Sequence, residues 1–230
     1  MRDKLTDLTV IIPVLDEVEA IPKVIREIRE ECGFESPVLV VDGGSNDGTC
    51  EVLKHLEQRY GIQVIRQDGH GKGDALKTGL RHVKTPFFAV MDGDYTYSAQ
   101  DLSKLYLLRS WFDHVIGIRT YAKDNMTRTH RFGNIIINVL FNILLDASVS
   151  DVCSGMYLLR TDFARQINPG ASDFLFDVDM AAKTLPKGQL GEVTISYRRR
   201  IGKNKLNSFK DGFKIVWYIL KTWWKQRFAS

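Results

Sequence analysis

Two hundred and thirty residues, 44% apolar and 26% charged, suffice for one domain with a full core and exclude both disorder and collagen-like repetition. Three cysteines (Cys32, Cys50, Cys153) at no C-x-x-C or metal-finger spacing exclude a disulfide framework and fit a reducing compartment. The net charge of +4 is local: from Arg198 onward ten Lys/Arg face Asp211 alone, so everything before is net acidic.

The opening Met1 to Asp7 lacks the apolar stretch of a signal peptide, and the chain is expected to stay in the cytoplasm. Leu8 to Val14 is β-rich and nearly all apolar, as a strand covered on both faces is. Ile21, Val24, Ile25 and Ile28 then fall at helical spacing, with Arg26, Glu27, Arg29 and Glu30 between them and Gly33 as the stop. Val38 to Val41 reads as a second buried strand and breaks into Asp42-Gly-Gly-Ser-Asn-Asp-Gly. A helix over Thr49 to Tyr60, a strand over Gly61 to Arg66, a helix over Gly73 to Val83 and a strand over Phe87 to Met91 complete a βαβαβαβ alternation.

Such alternation predicts an α/β, doubly wound parallel sheet with helices on both faces and right-handed crossovers. Ligands of such sheets sit beyond the C-terminal strand ends. Three of those ends carry acidic or Gly-rich loops: Asp16-Glu17, Asp42-Gly-Gly-Ser and Asp92-Gly-Asp94. No repeat or low-complexity linker divides the chain, so residues 1–206 read as one domain and 207–230 as a basic, Trp-rich amphipathic extension.

Two helical stretches bear on membranes, and neither reaches the roughly 18 to 20 apolar residues of a span. In the first, Arg131, Asn134, Asn138 and Asn142 share a stripe, and Ile135, Val139, Phe141, Ile143 and their apolar neighbours cover the rest; a core helix with a polar seam explains it equally well. In the second, Lys210, Lys214, Lys221 and Lys225 form a narrow stripe, and Phe213, Val216, Trp217, Leu220, Trp223 and Trp224 are expected on the opposite arc. Trp together with Lys marks a helix lying in the headgroup layer, so the cytoplasmic face of a membrane is the expected location.

Asp92 and Asp94, one residue apart after a buried strand, suit Mg²⁺ or Mn²⁺, hard cations that also take diphosphate oxygens. A D-x-D pair alone is also an ordinary solvated turn. The Asp42 loop serves equally as a plain β-to-α turn with Asn46 or Asp47 as a cap. Gly69-His-Gly-Lys-Gly73 matches neither a P-loop nor a dinucleotide fingerprint.

Six segments together go further. Ile12-Pro-Val-Leu-Asp-Glu17, Val41-Asp-Gly-Gly-Ser-Asn-Asp-Gly-Thr49, Gly71-Lys-Gly73, Met91-Asp-Gly-Asp94, Asp151-Val-Cys-Ser-Gly155 and Tyr197-Arg-Arg-Arg-Ile-Gly-Lys-Asn-Lys205 occur in the order seen in family 2 glycosyltransferases of the GT-A fold. The chain resembles the dolichyl-phosphate mannose or glucose synthase branch over residues 8 to 206. The resemblance implies inverting transfer of a hexose from a nucleotide diphosphate sugar to polyprenyl (dolichyl) phosphate. It leans toward a UDP-sugar, with GDP-mannose possible.

Residue by residue, the resemblance sets Pro13, Leu15 and Glu17 along the nucleoside and Asp42 on the base. Asp92 and Asp94 would hold the metal, with Gly93 close to the nucleotide; the family's third ligand, a Gln, is here Thr96. Arg200 corresponds to a diphosphate arginine, and Lys183, Lys203 and Lys205 are further basic candidates for the same group. Arg119 and Arg131, with Arg128 a weaker third, correspond to acceptor-phosphate arginines. The Phe176-Asp-Val-Asp stretch stands where the family has Phe-Glu-x-Glu.

A phosphate acceptor is already ionised near neutral pH, so no general base is expected. A transferase using a hydroxyl of a soluble glycan or lipid would instead need a carboxylate such as Asp151, Asp177 or Asp179. A nucleic-acid-binding module would use the basic end with Trp stacking, but the acidic strand ends oppose it and no such motif is present.

Overall fold

The structure is a computed structural model and describes residues 4–121, 128–171, 173–202 and 208–228. Lys203 and Lys205 lie outside the described residues, as do the side chains of Arg128 and Lys210.

The β-branched runs form the centre of the sheet. Strands β1 (Leu8–Val14) and β2 (Val38–Asp42) are buried almost throughout. With β3 (Gln63–Arg66) and β4 (Phe87–Val90) they pair in parallel. The helices between them are α1 (Ile21–Arg26), α2 (Thr49–Tyr60) and α3 (Gly71–His82). The helix begun by α1 continues as a π-helical turn over Glu27–Glu31, ended by Cys32 and Gly33, whose φ is 67°.

Beyond β4 follow α4 (Asp101–Leu107), β5 (His114–Tyr121), α5 (Arg128–Leu145), β6 (Tyr157–Arg160), α6 (Thr161–Ile167), α7 (Leu175–Thr184), β7 (Leu190–Tyr197) and α8 (Ser208–Phe228). The seven-stranded sheet has the order β3-β2-β1-β4-β6-β5-β7, with β6 antiparallel to both neighbours. The chain winds outward from β1 to β3 and then crosses back to β4. The β1/β4 boundary is therefore the switch point where such sheets open a crevice.

Each sheet face has its own core. One gathers Leu8, Ile12, Ile21, Ile25, Leu53 and Leu102; the other gathers Ile11, Leu76, Phe141, Phe176, Ile215 and Ile219. Helix α8 thus contributes to the core: it packs along α5 and touches α7. Burying Ile215 and Ile219 attaches it by about 1.5 to 3 kcal/mol each.

The two amphipathic helices have three faces where the sequence pattern suggests two. On α8 the buried face is Ile215 and Ile219, while Phe213, Trp217, Leu220 and Trp224 point outward and are flanked by exposed Lys221 and Lys225. The lysines therefore border the aromatic arc rather than oppose it. On α5 the asparagines face inward. Asn138 receives the Val152 N–H and donates to the Ser150 carbonyl, and Asn142 exchanges two 2.9 Å bonds with Val149. Ile137 and Phe141 are buried beside them, and Phe132, Ile135, Ile136, Val139 and Ile143 form an outward apolar stripe, Ile143 being 73% exposed.

Candidate active site

The loop after β1 and the loop after β2 lock together. Asp16, with φ 48°, donates its N–H to Ser45 Oγ and accepts the Asn46 N–H, while Glu17 donates its N–H to Thr49 Oγ1. Asp42 folds its own loop, accepting Gly44 N–H, Ser45 N–H and, at 2.5 Å, the Ser45 hydroxyl. Much of its hydrogen-bonding capacity is spent before any base arrives. A cleft of about 520 Å³ opens beside it, lined also by Ser45, Cys50, Lys54 and Arg66.

The loop after β4 turns back sharply. Gly93 has no room for a side chain, because a Cβ would strike Val14 and the Pro13 carbonyl; its close neighbour is β1. Tyr95 takes a φ of 67°, unusual for a residue with a Cβ. Asp94 steadies the turn by accepting Thr96 N–H at 3.1 Å and Thr96 Oγ1–H at 2.6 Å. Thr96, expected as a third metal ligand, donates its hydroxyl hydrogen to Asp94 and keeps its oxygen lone pairs. Its side chain positions that carboxylate.

The segment after β7 lies across this turn. Arg198 N–H donates to the Thr96 carbonyl and Ile201 N–H to the Asp94 carbonyl. The Arg198 guanidinium grips Glu27 at 2.7 and 2.8 Å, bonds Ser98 Oγ, and stacks over Tyr95 at 4.7 Å. Glu27, 1% exposed, is no member of the solvated helix face that its charged neighbours suggest. This clamp delivers Arg200, which pairs with Glu17 and reaches Asp94 Oδ2 at 2.9 Å. Arg200 Nε is buried and has no hydrogen-bond partner among the described residues. Burial and the charge of Asp92 raise the Asp94 carboxyl above its ordinary range, against the pull of Arg200 and Thr96.

On the other side of the crevice Lys72, from α3, sits 2.9 Å from Asp92 Oδ1 and 2.9 Å from Asp177 Oδ2. Burial works against its charge, but Asp177 and Asp92 outweigh it and hold the ammonium above its usual range. Asp177 is itself raised by burial, with Lys72 pulling it back. Asp179 instead accepts Gly170 and Ala171 N–H and pairs with Tyr218 of α8. Lys183 donates to the Asn168 carbonyl and pairs with Asp179. Those bonds tie α7 to the 168–171 loop, and none of them reaches Asp92, Asp94 or Arg200.

Arg119, 8% exposed, forms a two-pronged pair with Asp151 at 2.6 and 2.7 Å and lies 5.4 Å from the Tyr197 ring centroid. Arg131 is exposed on the first turns of α5. The loop carrying Asp151 runs on to Gly155, whose N–H donates to Tyr97 Oη at 2.7 Å. Pro13 and Leu15 flank the crevice at the end of β1, Leu15 exposed.

The fit to a divalent cation rests on donor chemistry. Two hard carboxylates, Asp92 and Asp94, stand at one strand end, and among the described residues no group of three Asp, Glu, His or Cys side chains gathers for a metal. The pair suits an ion that takes its remaining oxygens from a diphosphate. Several parts of this arrangement escape sequence reasoning. Glu27 and Tyr97 carry no motif, Arg198 is quoted only as part of the basic Tyr197 to Lys205 segment with no role of its own, and Lys72 is visible only as the middle of Gly71-Lys-Gly73.

Comparison with known proteins places the chain in a family. Residues 9–167 match the model of the family described as "Glycosyl transferase family 2". The chain belongs to that family. As a family 2 glycosyltransferase it is 34% identical over 210 residues to glycosyltransferase AglJ of Haloferax volcanii, covering 88% of this chain and 67% of that one. It is 31% identical over 228 residues to the dolichyl-phosphate hexose transferase of the same organism, covering 96% of each. Among solved structures it is similar to glucosyl-3-phosphoglycerate synthase from Mycobacterium tuberculosis in complex with Mg²⁺ and uridine diphosphate, with TM-score 0.72 and 17% identity over 95% of this chain and 78% of that one. The same enzyme has been solved with Mn²⁺, uridine diphosphate and glucosyl-3-phosphoglycerate. At that identity the likeness shows the GT-A fold.

Proposed function

We propose that this glycosyltransferase moves a hexose from a nucleotide diphosphate sugar, a UDP-sugar in preference to GDP-mannose, onto polyprenyl phosphate at a membrane surface. The observation that carries this reading is the state of the three carboxylates a hydroxyl acceptor would need. Asp151 is paired with Arg119, Asp177 with Lys72, and Asp179 is occupied by two amides and Tyr218. Asp151 and Asp179 have both oxygens engaged, Asp177 is tied to Lys72 through Oδ2 and keeps a buried Oδ1, and a phosphate acceptor asks for no base. The relative named dolichyl-phosphate hexose transferase, aligned over nearly both whole chains, supports the same acceptor class.

Pro13, Leu15, Glu17 and Asp42 line the nucleoside side of the crevice. Asp92 and Asp94 hold Mg²⁺ or Mn²⁺, which when bound offsets charge on the diphosphate. Arg200, with its buried Nε free of partners among the described residues, offers a donor to a diphosphate oxygen as negative charge builds there. Lys205 and Lys183 remain weaker candidates for the same anion. Arg119 and Arg131 orient the acceptor phosphate, one of whose oxygens attacks the anomeric carbon as the bond to the diphosphate oxygen breaks. The configuration inverts, and the nucleoside diphosphate departs.

The outward faces of α5 and α8 suit the lipid side of this reaction. Phe132, Val139 and Ile143 on one helix and Phe213, Trp217 and Trp224 on the other are exposed, with Lys221 and Lys225 alongside to meet anionic headgroups. No described helix is long and apolar enough to cross a membrane.

The test is a donor and acceptor screen: UDP-sugars and GDP-mannose, each with polyprenyl phosphate, polyprenol and soluble sugars, in Mg²⁺ or Mn²⁺. Transfer to polyprenyl phosphate alone is the expected result. Efficient glycosylation of a neutral hydroxyl would overturn it and turn attention to the three carboxylates.

A further inference from the structure

The Asp92 side of the site is neutralised from within the chain. Lys72 is the second residue of α3, and its ammonium bridges Asp92 Oδ1 and Asp177 Oδ2 with both distances at 2.9 Å and only 10% of its side chain exposed. Room for this arrangement comes from Gly155: a Cβ there would collide with both Asp92 Oδ2 and Lys72 Nζ. Asp94 is treated alike, with Arg200 on one oxygen and Thr96 on the other. The pair of carboxylates that suits a divalent cation already has monovalent cations of the protein's own.

An ammonium and a divalent cation repel each other strongly at such separations in a partly buried site. A free cation approaching Asp92 must therefore displace Lys72. Displacement alone would leave a buried ammonium with half its partners. A diphosphate changes the outcome, because its oxygens accept the same N–H donors.

We propose that Lys72 is a resident counter-ion of Asp92 that keeps free divalent cations out, and that a nucleotide diphosphate admits the cation by taking over the ammonium. Asp177 is the pivot: it retains its own contact with Lys72 while the Asp92 contact is exchanged for phosphate. Metal and nucleotide then bind cooperatively, and each tightens the other by the same factor. The inference rests on the metal reading of Asp92 and Asp94, and Lys72 acts in it as a positioning residue for charge.

The test measures Mn²⁺ binding to the full chain, by the paramagnetic resonance signal of free Mn²⁺, with no nucleotide, with UDP and with GDP. Wild type should bind Mn²⁺ weakly alone and far more tightly with the nucleotide it prefers. Lys72→Met, close in size and uncharged, should bind Mn²⁺ alone at least tenfold more tightly than wild type, and its nucleotide-dependent gain should shrink at least tenfold. Lys72→Arg should keep the wild-type pattern. Because Lys72→Met strands Asp177, the double variant Lys72→Met with Asp177→Asn is measured beside it, with a thermal melt of each; the same gain is expected. If neither folded variant binds Mn²⁺ alone better than wild type, the counter-ion role is overturned. If no protein binds Mn²⁺ with or without nucleotide, the metal reading itself fails, which is a distinct result.

Discussion

The first half of the sheet and the second satisfy their charged groups over very different distances. Around β1 to β4, Asp42 is satisfied by Gly44 and Ser45 and one oxygen of Asp94 by Thr96, all within three residues, and only the second Asp94 oxygen and Asp92 look further, to Arg200 and Lys72. In the second half the partners are remote: Arg119 pairs with Asp151, Asp177 with Lys72, Arg198 with Glu27 and Arg200 with Glu17. The first arrangement forms with the loop itself. The second exists only once the sheet has closed, so the crevice and the fold are assembled by the same ion pairs.

The sharpest way to separate the two is to remove charge from each. Asp94→Asn should abolish transfer while the melt stays cooperative, because Thr96 can still bond the amide oxygen but an amide is a poor substitute for a hard anionic ligand. Full activity in this variant, or in EDTA, would end the metal assignment. Arg119→Ala breaks a long-range pair and strands buried Asp151, so it should cost about 3 to 5 kcal/mol of stability as well as acceptor use. Arg131→Ala, exposed on α5, should leave the melting temperature nearly unchanged and lower acceptor kcat/KM roughly ten- to two-hundred-fold. Equal melting temperatures for the two variants would show that the Arg119 pair is not structural.

His114 sharpens the comparison on the stability side. Buried under Tyr157 with Nδ1 3.2 Å from Thr184 Oγ1, it is pushed down by burial to about 3 from an ordinary 6.5. Between those values the unfolded chain binds a proton that the folded chain refuses. Stability from this site is therefore complete above about pH 6.5 and drains away as pH falls toward 3. Urea midpoints across that range should decline in wild type and decline less, by a few kcal/mol at the acid end, in His114→Gln.

The smallest expected effect concerns the outward helix faces. Trp217→Glu or Ile143→Glu should weaken binding to vesicles of anionic lipid roughly tenfold each, from about 1 to 2 kcal/mol of lost burial. Hydrolysis of donor in the absence of lipid should be unaltered. Unchanged vesicle binding in both would remove the membrane role from these faces.

Most of the strand-end machinery is legible in the chain because its period and its turns are local. The alternation from Leu8 to Met91, the acidic strand ends and the order of six motifs all follow from neighbours within a few residues. Sequence patterning also finds α8 almost to the residue, since an amphipathic period needs no knowledge of the partner. It sets the aromatic arc opposite the lysines and leaves unseen the third face, Ile215 and Ile219, whose burial depends on what α5 and α7 present. It cannot see that Glu27 is buried under Arg198, that Thr96 donates its hydroxyl hydrogen to Asp94, or that Lys72 neutralises Asp92. The sequence alone determined the four-stranded parallel half of the sheet, the acidic strand ends and the type of chemistry, since those follow from periodicity and from residue types at strand ends, whereas the placement of β5 to β7 and the antiparallel β6 came with the structure. Tertiary structure decided which charges meet, because a Coulomb pair depends on separation in space, and Lys72 and Asp177 become neighbours only after the chain has crossed the sheet.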